Sequence, residues 1–202
     1  MIKKLLVLSS LVLGAFAANA AVTFSVTPTS MTGGIGFGND GIGNTGANDL
    51  LGVTFSANNT AANFSLANPG DFQDFAVGSI TLNERNIAAG ETDDLDVSVT
   101  FAFSSPLVGN QVVTATGSAV VGRVPDNPLD LTISWNPVIV NFGNGGSFSL
   151  SLNSLQFFDQ GSLDQTARIQ LRNPGSDVPE PASLALVGLG LLGAAGMARR
   201  RR

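Results

Sequence analysis

The 202-residue chain contains no cysteine, no histidine and no tyrosine, and each absence removes a class of chemistry. Without cysteine no disulfide can staple the fold, so a hydrophobic core must hold it alone. Without histidine or cysteine there is no Ser-His-Asp or Cys-His nucleophile system, and the usual zinc and copper ligand sets are missing. Charge is also sparse, at 12% of residues against 44% hydrophobic. Both lysines, Lys3 and Lys4, stand near the N-terminus, and Arg199, Arg200, Arg201 and Arg202 close the chain. Between residues 21 and 177 only Arg85, Arg123, Arg168 and Arg172 oppose fourteen Asp and Glu, a net charge of about −10. Such a charge argues against nucleic acid and anionic lipid as partners. With no lysine or tyrosine in that span, carboxylates are the only plausible acid–base groups left to it, and no enzymatic activity is expected.

What remains is apolar, small and rich in turns, with 24 glycines and 9 prolines. Residues 1–20 pair Lys3 and Lys4 with an apolar run over 5–16 and end in Ala18-Asn19-Ala20. A charged start, a short apolar stretch and an Ala-x-Ala exit define a secretory signal peptide cut after Ala20, with Ala18 and Ala20 as the cleavage residues. The Sec export machinery is the implied partner. A membrane anchor would need roughly 20 apolar residues and no small-residue exit.

Residues 178–202 carry three parts in order: Val178-Pro179-Glu180-Pro181, an uncharged run over 182–198, and the terminal arginines. As a helix the run would measure about 25 Å, slightly less than a ~30 Å hydrocarbon layer, so it is expected to sit in the inner membrane with some thinning or unwinding. Arg199 to Arg202 form the cytoplasmic stop, which leaves the body outside. Pro179 and Pro181 fix φ and remove two donors, making the preceding stretch extended and open to an enzyme. Gly188, Gly190, Gly193 and Gly196 weaken the helix, each by about 1 kcal/mol relative to alanine.

Together these three parts resemble the PEP-CTERM sorting signal of Gram-negative bacteria. The resemblance implies recognition by an exosortase, removal of the tail, and delivery from a transient inner-membrane position to the cell surface or extracellular matrix.

The body, residues 21–177, reads as all-β. Leu95, Val97, Val99, Phe101 and Phe103 alternate with polar or small residues, a period of two with one buried face. Similar alternation runs over 113–121, 129–135 and 167–172, with weaker strands at 22–26, 51–57 and 77–87. Phe148, Leu150 and Leu152 lose phase at Asn153-Ser154 before resuming at Leu155, which predicts a bulge. Eight or nine such strands joined by Gly, Asn, Asp and Pro turns describe an antiparallel β-sandwich or jelly roll. Phe75-Ala76-Val77-Gly78-Ser79-Ile80-Thr81-Leu82-Asn83-Glu84-Arg85-Asn86-Ile87, followed by Leu95-Asp96-Val97-Ser98-Val99-Thr100-Phe101, is similar to the choice-of-anchor K domain of surface proteins, a resemblance that implies fold and setting.

Three candidate sites follow. Glu91, Asp93, Asp94 and Asp96 gather carboxylates before the strongest strand, a donor set suited to Ca²⁺, although such a cluster is more often a solvated acidic loop and no cofactor is required. The segment 33–41, rich in glycine, has the look of one calcium-binding nonapeptide, with Gly38 where an aspartate is needed; a loop reaching about residue 48 is the simpler expectation. Trp135 would serve a lectin-like module as a sugar-stacking platform, while its phase with Leu131 and Ile133 points to burial. A carboxylate-based polysaccharide enzyme would recruit Asp71 with Asp74, Glu84, or Asp159 with Asp164, but aspartates near strand ends ordinarily build turns. The expected role is structural or adhesive, at the cell surface or in an exopolysaccharide matrix.

Overall fold

The computed structural model describes residues 21–38, 50–126 and 128–175. The strands run in chain order as β1 (Val22–Gly33), β2 (Phe37–Gly38), β3 (Leu51–Ala57), β4 (Ala62–Leu66), β5 (Phe72–Leu82), β6 (Asn86–Ile87) and β7 (Asp96–Ser105). There follow β8 (Gly109–Ala119), β9 (Gly122–Arg123), β10 (Leu131–Trp135), β11 (Val138–Phe142), β12 (Gly146–Leu152), β13 (Leu155–Phe157) and β14 (Gly161–Asn173). One 3-10 turn, Ala89–Glu91, interrupts them. No α-helix occurs among the described residues, and none of their segments is a helix long and apolar enough to cross a membrane. The signal peptide and the residue 182–198 span expected from the sequence lie outside the described residues.

Two six-stranded sheets form the body, in the orders β13-β10-β8-β7-β1-β4 and β11-β12-β14-β5-β3-β2, with β6 and β9 as a separate small ladder. Every pairing among the described residues is antiparallel except β2 with β3. The alternation read from the sequence sets the inner faces. On β7, Val97, Val99, Phe101 and Phe103 are buried, while Asp96 and Ser104 are exposed. Rings from both sheets meet in the core: Phe24 of β1 lies edge-on to Phe148 of β12 at 5.2 Å, and Phe103 of β7 contacts Phe148 at 5.4 Å. Burying side chains of this size contributes about 1.5–3 kcal/mol each, which is how a chain without disulfides is held.

Two expectations change. The phase slip at Asn153-Ser154 is not a bulge within one strand: β12 belongs to one sheet and β13 to the other, so the chain crosses the sandwich there. Among the bulges that do occur is one in β5, where Gly78 pairs with Gln165 and Ala76 with Thr166, leaving Val77 without a partner on β14. In addition, the segment expected as a glycine loop from residue 33 includes β2. Its Gly34 N–H donates to the Asp96 carbonyl at 2.6 Å. A Cβ on Gly36 would stand 2.1 Å from the Asp93 carbonyl oxygen, so glycine there permits backbone contact between the two segments.

Candidate functional site

The Ca²⁺ candidates are not gathered into a site. Glu91 is fully buried, and its Oε2 accepts from the Ala88 backbone N–H, at 2.6 Å, closing the 3-10 turn. Asp93, Asp94 and Asp96 are exposed, and the backbone carbonyls of Asp94 and Asp96 accept from Gly36 and Gly34. The acidic stretch and the glycine segment are thus each other's packing partner. Among the described residues no group of three or more Asp, Glu, His or Cys side chains is placed to hold a metal ion.

Trp135 is 7% exposed. Its Nε1 donates to Gln165 Oε1 at 3.0 Å, so the indole is a core residue with its polar edge satisfied and offers no surface platform for a sugar. Gln165 is itself fully buried, on the inward face of β14. Its Nε2 donates to the Asn153 carbonyl at 2.9 Å and to Asn153 Oδ1 at 2.7 Å. Asn153 Oδ1 also accepts from the Thr166 N–H and Oγ1, each at 2.8 Å. One network, running from the buried Trp135–Gln165 bond out to the exposed Asn153 and Thr166, therefore ties the sheet crossover at Asn153 to β14 beside the bulge in β5.

The carboxylates that a polysaccharide-cleaving acid–base pair would recruit are mostly committed locally. Asp71 Oδ2 accepts from the backbone N–H groups of Asn68 and Ala67 at 2.8 and 3.1 Å, and these bonds hold its carboxyl below the ordinary range. Asp74 is gripped in two places by Arg168, Nε to Oδ1 at 2.7 Å and Nη2 to Oδ2 at 2.8 Å, which likewise lowers its pKa. Glu84 is buried and accepts from the Arg85 N–H. Asp159 Oδ1 accepts from the Gln160 N–H.

Asp130 stands apart. It is 3% exposed, and its Oδ2 has no hydrogen-bond partner among the described residues. Burial, with the like charges of Asp126 and Asp159, raises its pKa. Nothing in the sequence marked it, because a single aspartate before a strand looks like a turn former.

A second feature escaped the sequence reading: an open depression of mixed polar and apolar lining on the outer face of the β11-to-β2 sheet. One cavity of about 520 Å³ is lined by residues including Asn58, Ser79, Asp164 and Thr166. An adjoining one of about 230 Å³ is lined by residues including Asp74, Asn153, Thr166 and Arg168. Thr166 belongs to both. Just beyond them Phe72 is 51% exposed, with the Arg168 guanidinium 3.9 Å from its ring centroid.

The residues that carry the sorting reading, Val178 to Pro181 and the terminal arginines, lie outside the described residues, so their evidence is the sequence itself. That reading meets an independent finding: a family model described as the PEP-CTERM protein-sorting motif matches residues 177–202. The described residues form an all-β body, and the chain carries a C-terminal sorting motif. Over residues 177–202 the chain is similar to PEP-CTERM sorting signals. The motif implies export, exosortase processing and membrane-associated sorting to the cell surface. No curated protein and no solved structure matches the chain.

Proposed function

We propose that residues 21–177 form the cargo: a non-catalytic β-sandwich, exported after loss of residues 1–20 and displayed at the surface or within the exopolysaccharide matrix of a Gram-negative cell. Its role there is structural or adhesive. The match of the sorting motif to residues 177–202 supports the export and surface-display part of this reading. Its support from the sequence is the Ala18-Asn19-Ala20 exit of the N-terminal segment. An exported chain without cysteine depends on core packing, and an aromatic core joining two sheets suits persistence outside the cell. Asp71 and Asp74, bonded into a turn and an ion pair, favour scaffold roles over acid–base work.

Fractionation of the native host tests the reading. With Pro179→Ala, Glu180→Ala and Pro181→Ala combined, the full chain is expected to accumulate in the inner membrane and disappear from the surface fraction. Unchanged surface delivery of the triple variant would overturn it.

A further inference from the structure

We infer that the depression on the outer face of the β11-to-β2 sheet is a binding subsite for a neutral polysaccharide chain. The inference rests on surface display and names a ligand class and a place for it.

The site begins with the bulge. Because Val77 has no partner on β14, the β5–β14 ladder is broken between Gln165 and Thr166, and β3 ends at Ala57, opposite Gly78. Bulges bend a strand and sharpen its twist, and both cavities lie at this break. Its floor is fixed: Thr166 is held through backbone and hydroxyl to Asn153, which is held in turn by the buried Gln165. A surface already rigid before binding loses little conformational entropy when a ligand arrives.

The lining then selects the chemistry. Asp164, Thr166 and Arg168 occupy alternate positions on β14 and share one face, about 6.8 Å apart along the strand. Gln170, next in that row, pairs with Phe72. From Asp164 to Gln170 the row is about 20 Å long, enough for several linked sugar rings. It offers the Asp164 carboxylate and the Thr166 hydroxyl oxygen as acceptors, with the Ser79 hydroxyl of β5 beside it as a donor, and a guanidinium whose side chain is still 48% exposed after bonding Asp74. Hydroxyl-rich ligands need donors and acceptors interleaved in this way. The half-exposed ring of Phe72 supplies an apolar surface for the C–H face of a pyranose, as binding sites combine apolar contact with a few placed polar groups. Charge excludes the acidic alternative: Arg168 is already neutralised by Asp74, Asp164 adds a negative charge, and the body carries about −10.

The test is affinity electrophoresis of the purified full chain in mild detergent, through native gels containing hydroxyethyl cellulose, galactomannan or dextran, with polygalacturonate as the anionic comparison. Retardation is expected in at least one neutral polymer. Phe72→Ala and Arg168→Gln should each weaken it at least fivefold, Phe72→Tyr should retain it, and Val112→Ala, exposed on the other sheet, should leave it unchanged. Trp135 emission verifies that each variant is folded. Absence of retardation by all three neutral polymers, retardation by polygalacturonate alone, or indifference to both Phe72→Ala and Arg168→Gln would overturn the inference. C-terminal processing is measured separately, so a failure here leaves the sorting reading standing.

Discussion

The indole Nε1 of Trp135 on β10 donates to Oε1 of Gln165 on β14 at 3.0 Å, and this bond joins the two sheets through the interior. Gln165 occupies an inward position that alternation would give to an apolar residue, with Ala167, Ile169 and Leu171 following it on the same face. Its amide serves both directions, accepting from Trp135 and donating to Asn153. A fully satisfied polar group in a core contributes little net stability, yet removing one partner exposes the whole desolvation cost of the others.

Gln165→Leu is therefore expected to destabilise the body by about 1–3 kcal/mol, since the indole N–H loses its acceptor and Asn153 its donor. Urea unfolding followed by the emission of Trp135, the only tryptophan, measures this directly. An unchanged midpoint would show that the network adds nothing to stability.

The same residue explains where the sequence ceased to be legible. Alternation revealed 95–104 and 167–172 because each inward position there is apolar. Gln165 hides the first half of β14, which begins at Gly161, by placing an amide where the pattern needs a hydrophobe. The crossover at Asn153 imitates a bulge, because both shift the phase by the same amount. Strand β11 was hidden because Ile139, an exposed hydrophobe between Val138 and Val140, erases the alternation. The sorting signal was legible for the opposite reason: its extended prolines, apolar run and arginines act through local composition, whereas the groove depends on pairing between β5 and β14 across 94 residues in the chain.

Asp130 gives the body a pH dependence of definite sign. Its folded pKa is raised, so the folded protein holds that proton to higher pH than the unfolded chain does. The associated stability is complete below the ordinary carboxylate value and is lost as pH rises through the raised one. Asp130→Asn should match the parent at about pH 3 and melt at a higher temperature than the parent at about pH 7. Thermal melts across that interval check it; a variant less stable at neutral pH would contradict the assignment.

Gly78 and Gly109 separate close contact from backbone conformation. Both have positive φ, +156° and +145°, but a Cβ on Gly78 would lie 1.9 Å from the Ser56 carbonyl oxygen, while nothing lies within 4 Å at Gly109. Gly78→Ala should cost at least about 1 kcal/mol more than Gly109→Ala, because β3 must move to admit the methyl group. Equal costs in chemical denaturation would mean that the neighbouring strand yields freely.

The Arg168 and Asp74 pair is half-exposed, and geometry alone does not make it a strong contributor. Exposed pairs are worth about 0–1 kcal/mol, so Asp74→Asn should shift the urea midpoint only slightly at neutral pH. What effect it has should fade as pH falls through the lowered pKa of Asp74. A loss well above 1 kcal/mol would assign the pair a structural role that its exposure does not suggest.

Mass spectrometry of the C-terminus, on protein taken separately from membranes and from the surface fraction of the native host, reports whether the tail is removed on the way to the surface. Trypsin cuts after Arg172 and Arg199 and so isolates residues 173–199, which span the Pro-Glu-Pro stretch and the apolar run, in one peptide. Sorting by exosortase predicts that surface protein yields a shortened peptide ending within residues 178–181. Finding the intact 173–199 peptide on surface protein, or finding the protein only in membranes with that peptide uncut, would contradict the account.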